Sequence, residues 1–539
     1  MLRQVVCVYL LSIASAADLL IDLPDGTIRG SETITENYTY NAYRGIPYAK
    51  PPVGTLRFQA PVPNDPWDGV LDASALKDCC IPLGIALEPQ SEDCLYINVF
   101  TPSQTTTEKL PVMLWIYGGG FTTGCAQEDV FGPQSLTNEG VIVVTFNYRM
   151  GLFGFLSTND SVILGNAGLK DQLLAMQWTQ KNIEYFGGDP EKVTIFGESA
   201  GGVSVGAHVA NKKSAGLYRA AICQSGCSLT ILPSAIQSDP RKNALDIAKS
   251  LNPFLSDSST SEEIRDFLQG VPTILLTVAL NLNPQTGIVI EVENENAYVT
   301  DHSFTLLESG NFNQVPLIIG TNSAESLSIL GILLPELMGA ALGYDVNSTL
   351  LIPVNLNPVP VSNLNDVATQ IKQAYSGFLP FALNLAAFVE FTSDQLFVRS
   401  SLKQAEFQSK YSPVYFYQFS YSGTVGSLHI MVDGAGKVGH GEDVRYLFDR
   451  TDFPLSTEGE LLTKSRMTRL WANFAKTLNP TPEASDPLLN VTWPKASGSD
   501  IPYLDIDETL EVKPAKKVKE MEMWNNVFNT YGQQPFVGF

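Results

Sequence analysis

A serine hydroxyl is a weak nucleophile unless it is held in the open beside a base. Gly197-Glu198-Ser199-Ala200-Gly201 follows the apolar run Val193–Phe196 and precedes a stretch of small residues. That context is a sharp strand-to-helix turn, with small neighbours allowing a strained backbone. The turn would hold the Ser199 hydroxyl at a sheet edge, where a helix N-terminus adds positive potential. A base comes from four histidines, His208, His302, His429 and His440. His208 falls nine residues after Ser199 on the same helix and reads as structural. His302 precedes an amphipathic stretch and reads as a cap, and His429 stays a second candidate. His440 sits late in the chain in Val438-Gly439-His440-Gly441-Glu442, a Gly-flanked loop from which an imidazole can reach across the sheet top. An orienting carboxylate is offered by Glu325, just past the run Val315–Ile319. Gly118-Gly119-Gly120 follows the run Val112–Ile116 and can turn backbone N–H groups toward a substrate oxygen, with the Ala200 N–H as a third donor. The chemistry implied is attack on a carbonyl and acyl transfer through a covalent intermediate.

The elements that must position these groups alternate. Leu95–Thr101 has polar ends, whereas Val141–Tyr148, Ala220–Gln224 and Val414–Tyr421 are among the apolar runs of strand length. Continuous runs suit strands buried on both faces, as in a parallel sheet. Helical spacing appears over Asn166–Phe186, and Gly202–Ala210 and Ser456–Leu478 are further helices. The alternation predicts a doubly wound α/β sheet. Residues 327–410, rich in Leu, Pro and Asn, read as a helical insertion over the sheet's C-terminal edge, with patches at Val367–Ala374 and Ala382–Phe391. No repeat at periods of 20–50 residues is present.

Composition excludes other classes. Of 539 residues 44% are hydrophobic and 17% charged, which supplies a large core and rules out a mostly disordered chain. Acidic residues outnumber basic ones 56 to 34, for a net charge of −22. A nucleic-acid partner is therefore not expected. Residues 1–17 carry Arg3, a short apolar run from Val5 to Ala14 and the small residues Ala14-Ser15-Ala16, and read as a secretory signal peptide. The C-terminal residues are neither a retention signal nor an anchor tail, so a soluble secreted protein is expected. Cys7 leaves with the leader, and Cys79, Cys80, Cys94, Cys125, Cys223 and Cys227 remain, an even count that favours disulfides outside the cell. Sequons at Asn37, Asn159, Asn347 and Asn490 agree with that compartment.

Together these residues resemble the type-B carboxylesterase/cholinesterase family of α/β-hydrolases, closest in character to secreted insect carboxylesterases. The likeness covers essentially the whole mature chain. It includes Arg44-Gly45-Ile46-Pro47-Tyr48, Glu92-Asp93-Cys94-Leu95-Tyr96, Asn147-Tyr148-Arg149, Gln224-Ser225-Gly226 and His440-Gly441-Glu442, besides the two glycine-bearing motifs above. It implies one α/β-hydrolase domain over 18–539, built on a large, mostly parallel twisted sheet flanked by helices. It implies Ser199 as nucleophile, Glu325 as triad acid, His440 as general base, and Gly119, Gly120 and Ala200 as oxyanion donors, in the chain order Ser, acid, His. It also implies a Cys80–Cys94 disulfide and structural ion pairs Arg44–Glu92 and Arg149–Asp171. No metal or organic cofactor is implied, and the partner is a small-molecule ester. The family's usual Gly after the acid is Ser326 here, so the acid's loop is expected to sit differently. The family's second disulfide is missing, which leaves Cys79, Cys125, Cys223 and Cys227 unassigned.

The resulting expectation is a secreted serine carboxylesterase that clears volatile, pheromone or dietary esters. The alternatives are a juvenile hormone esterase, against which GESAG in place of GQSAG argues, and a non-catalytic cholinesterase-like adhesion protein. A cholinesterase is not expected. Cholinesterases hold a quaternary ammonium against a Trp in the loop closed by the first disulfide. The residues between Cys80 and Cys94 include no aromatic. A desolvated cation–π contact is worth roughly 2 kcal/mol, about 30-fold in selectivity. A choline ester compared with its uncharged tert-butyl isostere at high ionic strength, where steering by the acidic surface is screened, should therefore show no large preference. A strong preference for the cation would mean that another aromatic residue forms the cage.

Overall fold

Ile142–Phe146 and Leu317–Asn322 are buried at every position. Strands covered on both faces can run parallel, because each crossover helix lies against the sheet. The computed structural model describes residues 19–35, 38–83, 88–103, 107–231, 239–282, 287–330, 333–353, 356, 363–424, 430–483 and 485–539. The leader segment 1–17, Asn37 and His429 lie outside these residues. Among the described residues, eleven strands form the principal sheet. In chain order they are β1 (Ser31–Ile34), β2 (Thr39–Pro47), β3 (Tyr96–Pro102), β4 (Leu110–Ile116), β5 (Ile142–Phe146), β6 (Gly188–Glu198), β7 (Ala220–Gln224), β8 (Leu317–Asn322), β9 (Val414–Phe419), β10 (Tyr503–Ile506) and β11 (Leu510–Lys513).

Across the sheet the order is β1-β2-β3-β5-β4-β6-β7-β8-β9-β10-β11. The run from β5 to β10 is parallel throughout. The flanking strands β1, β2, β3 and β11 pair antiparallel. This is the mixed, mainly parallel sheet of an α/β-hydrolase. The chain passes from β4 outward to β5, then returns to β6 on the other side of β4. Such a reversal opens a crevice at the strands' carboxyl ends. The register aligns Glu198 of β6 with Gln224 of β7, and Gln224 with Gly320 of β8. Ser199, Ser225 and the turn to Glu325 thus leave the sheet at one edge.

Helices cover the faces. α1 (Ala167–Asn182) precedes β6, and α2 (Ala200–Ala210) follows it. Residues 327–410 contain α3 (Leu327–Leu330), α4 (Leu334–Val346), α5 (Leu364–Ser376), α6 (Leu385–Ser393), one π turn at Asp394–Val398 and α7 (Arg399–Gln408). The two helical patches read from sequence fall on α5 and, from Leu385 onward, on α6. α8 (Glu458–Thr477) starts with a reciprocal cap between Thr457 and Glu460, which satisfies two otherwise orphaned amides.

Two disulfides link the described residues, Cys80–Cys94 and Cys79–Cys125. Cys223 and Cys227 are buried free thiols. The second bridge supplies the partner that sequence reasoning did not assign to Cys79 and Cys125. The residues after Cys125 also correct one ion pair. Arg44 forks onto Glu128, with Nε–Oε2 at 2.5 Å and Nη2–Oε1 at 2.8 Å, and not onto Glu92. Glu92 instead takes Arg57, at 2.6 and 2.8 Å. The reason lies in the other nitrogen of Arg57, which donates to the carbonyls of Leu268, Gln269 and Val271 and so closes a helix end beside Glu92.

Arg149 and Asp171 do pair, at 2.7 and 2.8 Å, with side-chain exposures of 3% and 0%. Removing one partner strands a buried charge and should cost about 3–5 kcal/mol. Arg149→Met is expected to lower the unfolding free energy extrapolated from the first denaturant transition by that amount. A loss under about 1 kcal/mol would mean that the site accommodates the change.

Candidate active site

Ser199 joins β6 to α2 with φ +56° and ψ −126°, a conformation that costs a non-glycine residue about 1–3 kcal/mol. The strain persists because the backbones around it close tightly. A Cβ on Gly201 would strike the Ile116 carbonyl of β4, and one on Gly226 would strike the carbonyl of Ser199 itself. The Ser199 amide donates to the Gln224 carbonyl at 2.9 Å, locking the elbow to β7. The hydroxyl is thereby aimed off the sheet edge.

His440 meets it there. His440 Nε2 lies 2.7 Å from Ser199 Oγ, and Nδ1 lies 2.7 Å from Glu325 Oε2. The other Glu325 oxygen accepts from Ser225 Oγ at 2.5 Å and from the Asn322 amide at 2.6 Å. Those two bonds fix the carboxylate, which is fully buried. The loops that carry acid and imidazole are joined by backbone bonds, Ala324 N to Val438 O at 2.8 Å and His440 N to Glu325 O at 3.2 Å. Asn322 adds a side-chain bond to the Gly439 carbonyl at 2.7 Å. Ser326 fills the place of the family's glycine. Its amide bonds Ser393 Oγ and its hydroxyl the Val389 carbonyl, both at 3.1 Å, so the acid's turn is tied to α6. The π turn that follows α6 puts Phe397 flat on the His440 ring, 4.2 Å between centroids and 12° between planes.

Gly119 and Gly120 have φ of +107° and +63°, and the amides of Thr122 and Thr123 close the turn onto the Gly119 carbonyl at 3.0 Å each. A Cβ on Gly118 would come within 2.9 Å of the Ser199 Cβ, so this turn borders the hydroxyl. Ala200 is the first residue of α2, where an amide has no intrahelical acceptor. The arrangement offers donors beside the place where negative charge would develop.

Residues that sequence reasoning left without a role complete the site. Glu198 places Oε1 3.2 Å from His440 Nε2. Burial pushes the Glu198 carboxyl well above the ordinary range; the imidazole opposes this, and Asp443 and Glu325 add to it. Burial alone would pull His440 down, but the Glu198 charge and the Glu325 bond outweigh it and raise the imidazole above its usual value. The two groups compete for a proton. Beneath them Asp443 accepts from Gln224 Nε2 at 2.8 Å and Tyr417 Oη at 3.1 Å. Glu198 and Ser225 both stand in motifs quoted for the resemblance, and neither gives away its contact from spacing alone. Two histidines lie elsewhere. His208 bonds Tyr298 Oη and Gln172 Oε1 at 2.6 and 2.8 Å, and burial pushes it down to about 3. His302 stands at the N-cap of the helix Ser303–Ser309 without a side-chain cap bond.

Comparison with known proteins bears on the same chemistry. The profile of the carboxylesterase family matches residues 17–524. A pyrethroid hydrolase of Rattus norvegicus is 33% identical over 529 residues, spanning 93% of this chain and 88% of its own. An acylcarnitine hydrolase of Mus musculus is 34% identical over 513 residues, spanning 90% and 86%. A cocaine esterase of Oryctolagus cuniculus is 32% identical over 539 residues, spanning 93% and 94%.

A base must be unprotonated, so kcat/KM should fall as pH drops through the His440 pKa. The Glu198 charge holds that pKa up. Glu198→Gln removes the charge and is expected to move the acid limb of the kcat/KM profile to lower pH. A limb that stays in place or moves upward would show that Glu198 carries no charge when the base titrates.

Proposed function

The chain belongs to the carboxylesterase family and is a carboxylic ester hydrolase, and from that premise we propose that it works through an acyl-enzyme on Ser199. His440 Nε2 takes the Ser199 proton as Oγ attacks the ester carbonyl. Glu325 keeps the second ring proton on Nδ1 and stabilises the imidazolium that forms. The amides of Gly119, Gly120 and Ala200 hold the oxyanion of the tetrahedral intermediate. His440 then returns the proton to the departing alcohol. Water, activated by the same imidazole, attacks the acyl carbonyl and frees the acid and Ser199. The observation that carries this reading is the unbroken line from Ser199 Oγ through His440 to Glu325, with both links at 2.7 Å.

In this reading the mature domain is 18–539, secreted and glycosylated, with 327–410 as its insertion. Support comes from the two disulfides and from exposed sequon residues at Asn159, Asn347 and Asn490. No helix among the described residues is long and apolar enough to cross a membrane. The relatives act on a pyrethroid, an acylcarnitine and cocaine, as their names say, and for this chain we infer clearance of small volatile, pheromone or dietary esters. The non-catalytic adhesion reading falls, because the matched family and relatives are ester hydrolases.

An organophosphate should phosphorylate Ser199, and Ser199→Ala should lose about 10⁶ in turnover. Mass mapping of the adduct together with an ester panel checks both. An adduct found only at another residue, with the alanine variant still turning over, overturns the assignment.

A further inference from the structure

Large apolar side chains on a helix normally face the core, and a contiguous exposed set marks a surface that meets something. α4 departs from the norm. Leu334, Met338, Leu342 and Val346 follow one another at four-residue spacing, with exposures of 48%, 44%, 55% and 80%. Residues four apart share a helix face, so they form one stripe. Neighbouring elements extend it. Ile329 on α3 is 42% exposed, Leu333 56% and Leu350 48%. Leu383 is 76% exposed and is fastened beside α4 by Asp345, whose carboxylate accepts from the amides of Phe381 and Ala382 at 2.9 Å each.

We propose that this face docks on the surface of an uncharged lipid or aggregated ester, so that water-insoluble esters reach Ser199 from the interface. The proposal rests on the ester-hydrolase reading of the same site and names the physical state of the substrate. Charge selects the occupant. α4 carries Glu336 and Asp345, the latter paired with Lys372 at 2.6 Å, and no Lys or Arg of its own, whereas helices that settle on anionic membranes bear Lys and Arg on their polar face. The chain's net charge of −22 opposes both an anionic bilayer and a second copy of itself. An uncharged interface meets neither objection. Continuity selects the consequence. Ile329 is four residues from Glu325, so the apolar surface begins within about 14 Å of the triad acid.

The full-length chain carrying Ser199→Ala, inert toward ester, should float with an emulsion of trioctanoin. Met338→Glu with Leu342→Glu should cut the floated fraction about tenfold or more, the equivalent of one to two exposed Leu-sized side chains kept from burial. In the otherwise wild-type chain the same pair should leave kcat/KM on dissolved p-nitrophenyl acetate within about twofold, since neither residue touches the triad. Hydrolysis of the emulsion should fall with the floated fraction. The proposal is overturned if the Ser199→Ala chain stays in the aqueous layer or if the paired substitution leaves flotation unchanged. It is also overturned if phosphatidylserine vesicles bind better than the neutral emulsion, or if sedimentation shows a dimer that the pair dissociates. Failure to hydrolyse dissolved ester would instead remove the ester reading, and flotation of the inert chain reports on the surface separately.

Discussion

The site depends on how closely three backbones meet around Ser199. A serine with positive φ is strained, and it stays only where its surroundings leave no alternative. Here β4 presses on Gly201 through the Ile116 carbonyl, and Gly226 at the end of β7 lies against the Ser199 carbonyl. Neither approach tolerates a Cβ. The parallel register β4-β6-β7-β8 brings those backbones together, and it is fixed by strands that are apolar on both faces. Core packing therefore sets the position of the hydroxyl, and the loops bring base and acid to it.

The second constraint is electrostatic. Glu198, Glu325 and Asp443 are buried carboxylates around one imidazole. Burying three charges together is unfavourable unless each is bonded or protonated. Glu325 has Ser225, Asn322 and His440, and Asp443 has Gln224 and Tyr417. Glu198 faces the same ring nitrogen that faces Ser199. In the proposed mechanism the imidazolium sits between Glu198 and Glu325, so the charge that burdens the resting site becomes favourable as His440 takes a proton.

Much of this was legible in the sequence because local signals carried it. The elbow sits between an apolar run and a small-residue helix, and Gly439 and Gly441 flank the loop histidine that meets it. The outer strands β1, β10 and β11 gave weaker signals, since each has four residues and its pairing is settled by neighbours. The partner of Arg44 is likewise hidden from the sequence. Its choice of Glu128 depends on a loop pinned by Cys79–Cys125, and Glu92 is taken by an Arg57 that also closes a helix end. Phe397 had no signal, because it meets His440 through a π turn, a feature that no sequence spacing announces.

The helical segment after β8 then acquires a mechanical meaning. Ser326 bonds α6 through Ser393 and Val389, where a glycine would leave the hydroxyl contact unmade. Four residues beyond Ser393, Phe397 lies on the imidazole. The acid's turn and the ring's cover are thus two attachments of one helical unit. α4 rests on Phe381–Leu383 through Asp345, and that short turn leads directly into α6. The α4 face, the acid's turn and the cover of the His440 ring thus belong to one chain of packed contacts. The serine beside the acid, in the sequence only a departure from pattern, adds one further bond, to the Val389 carbonyl, between the acid's turn and that unit.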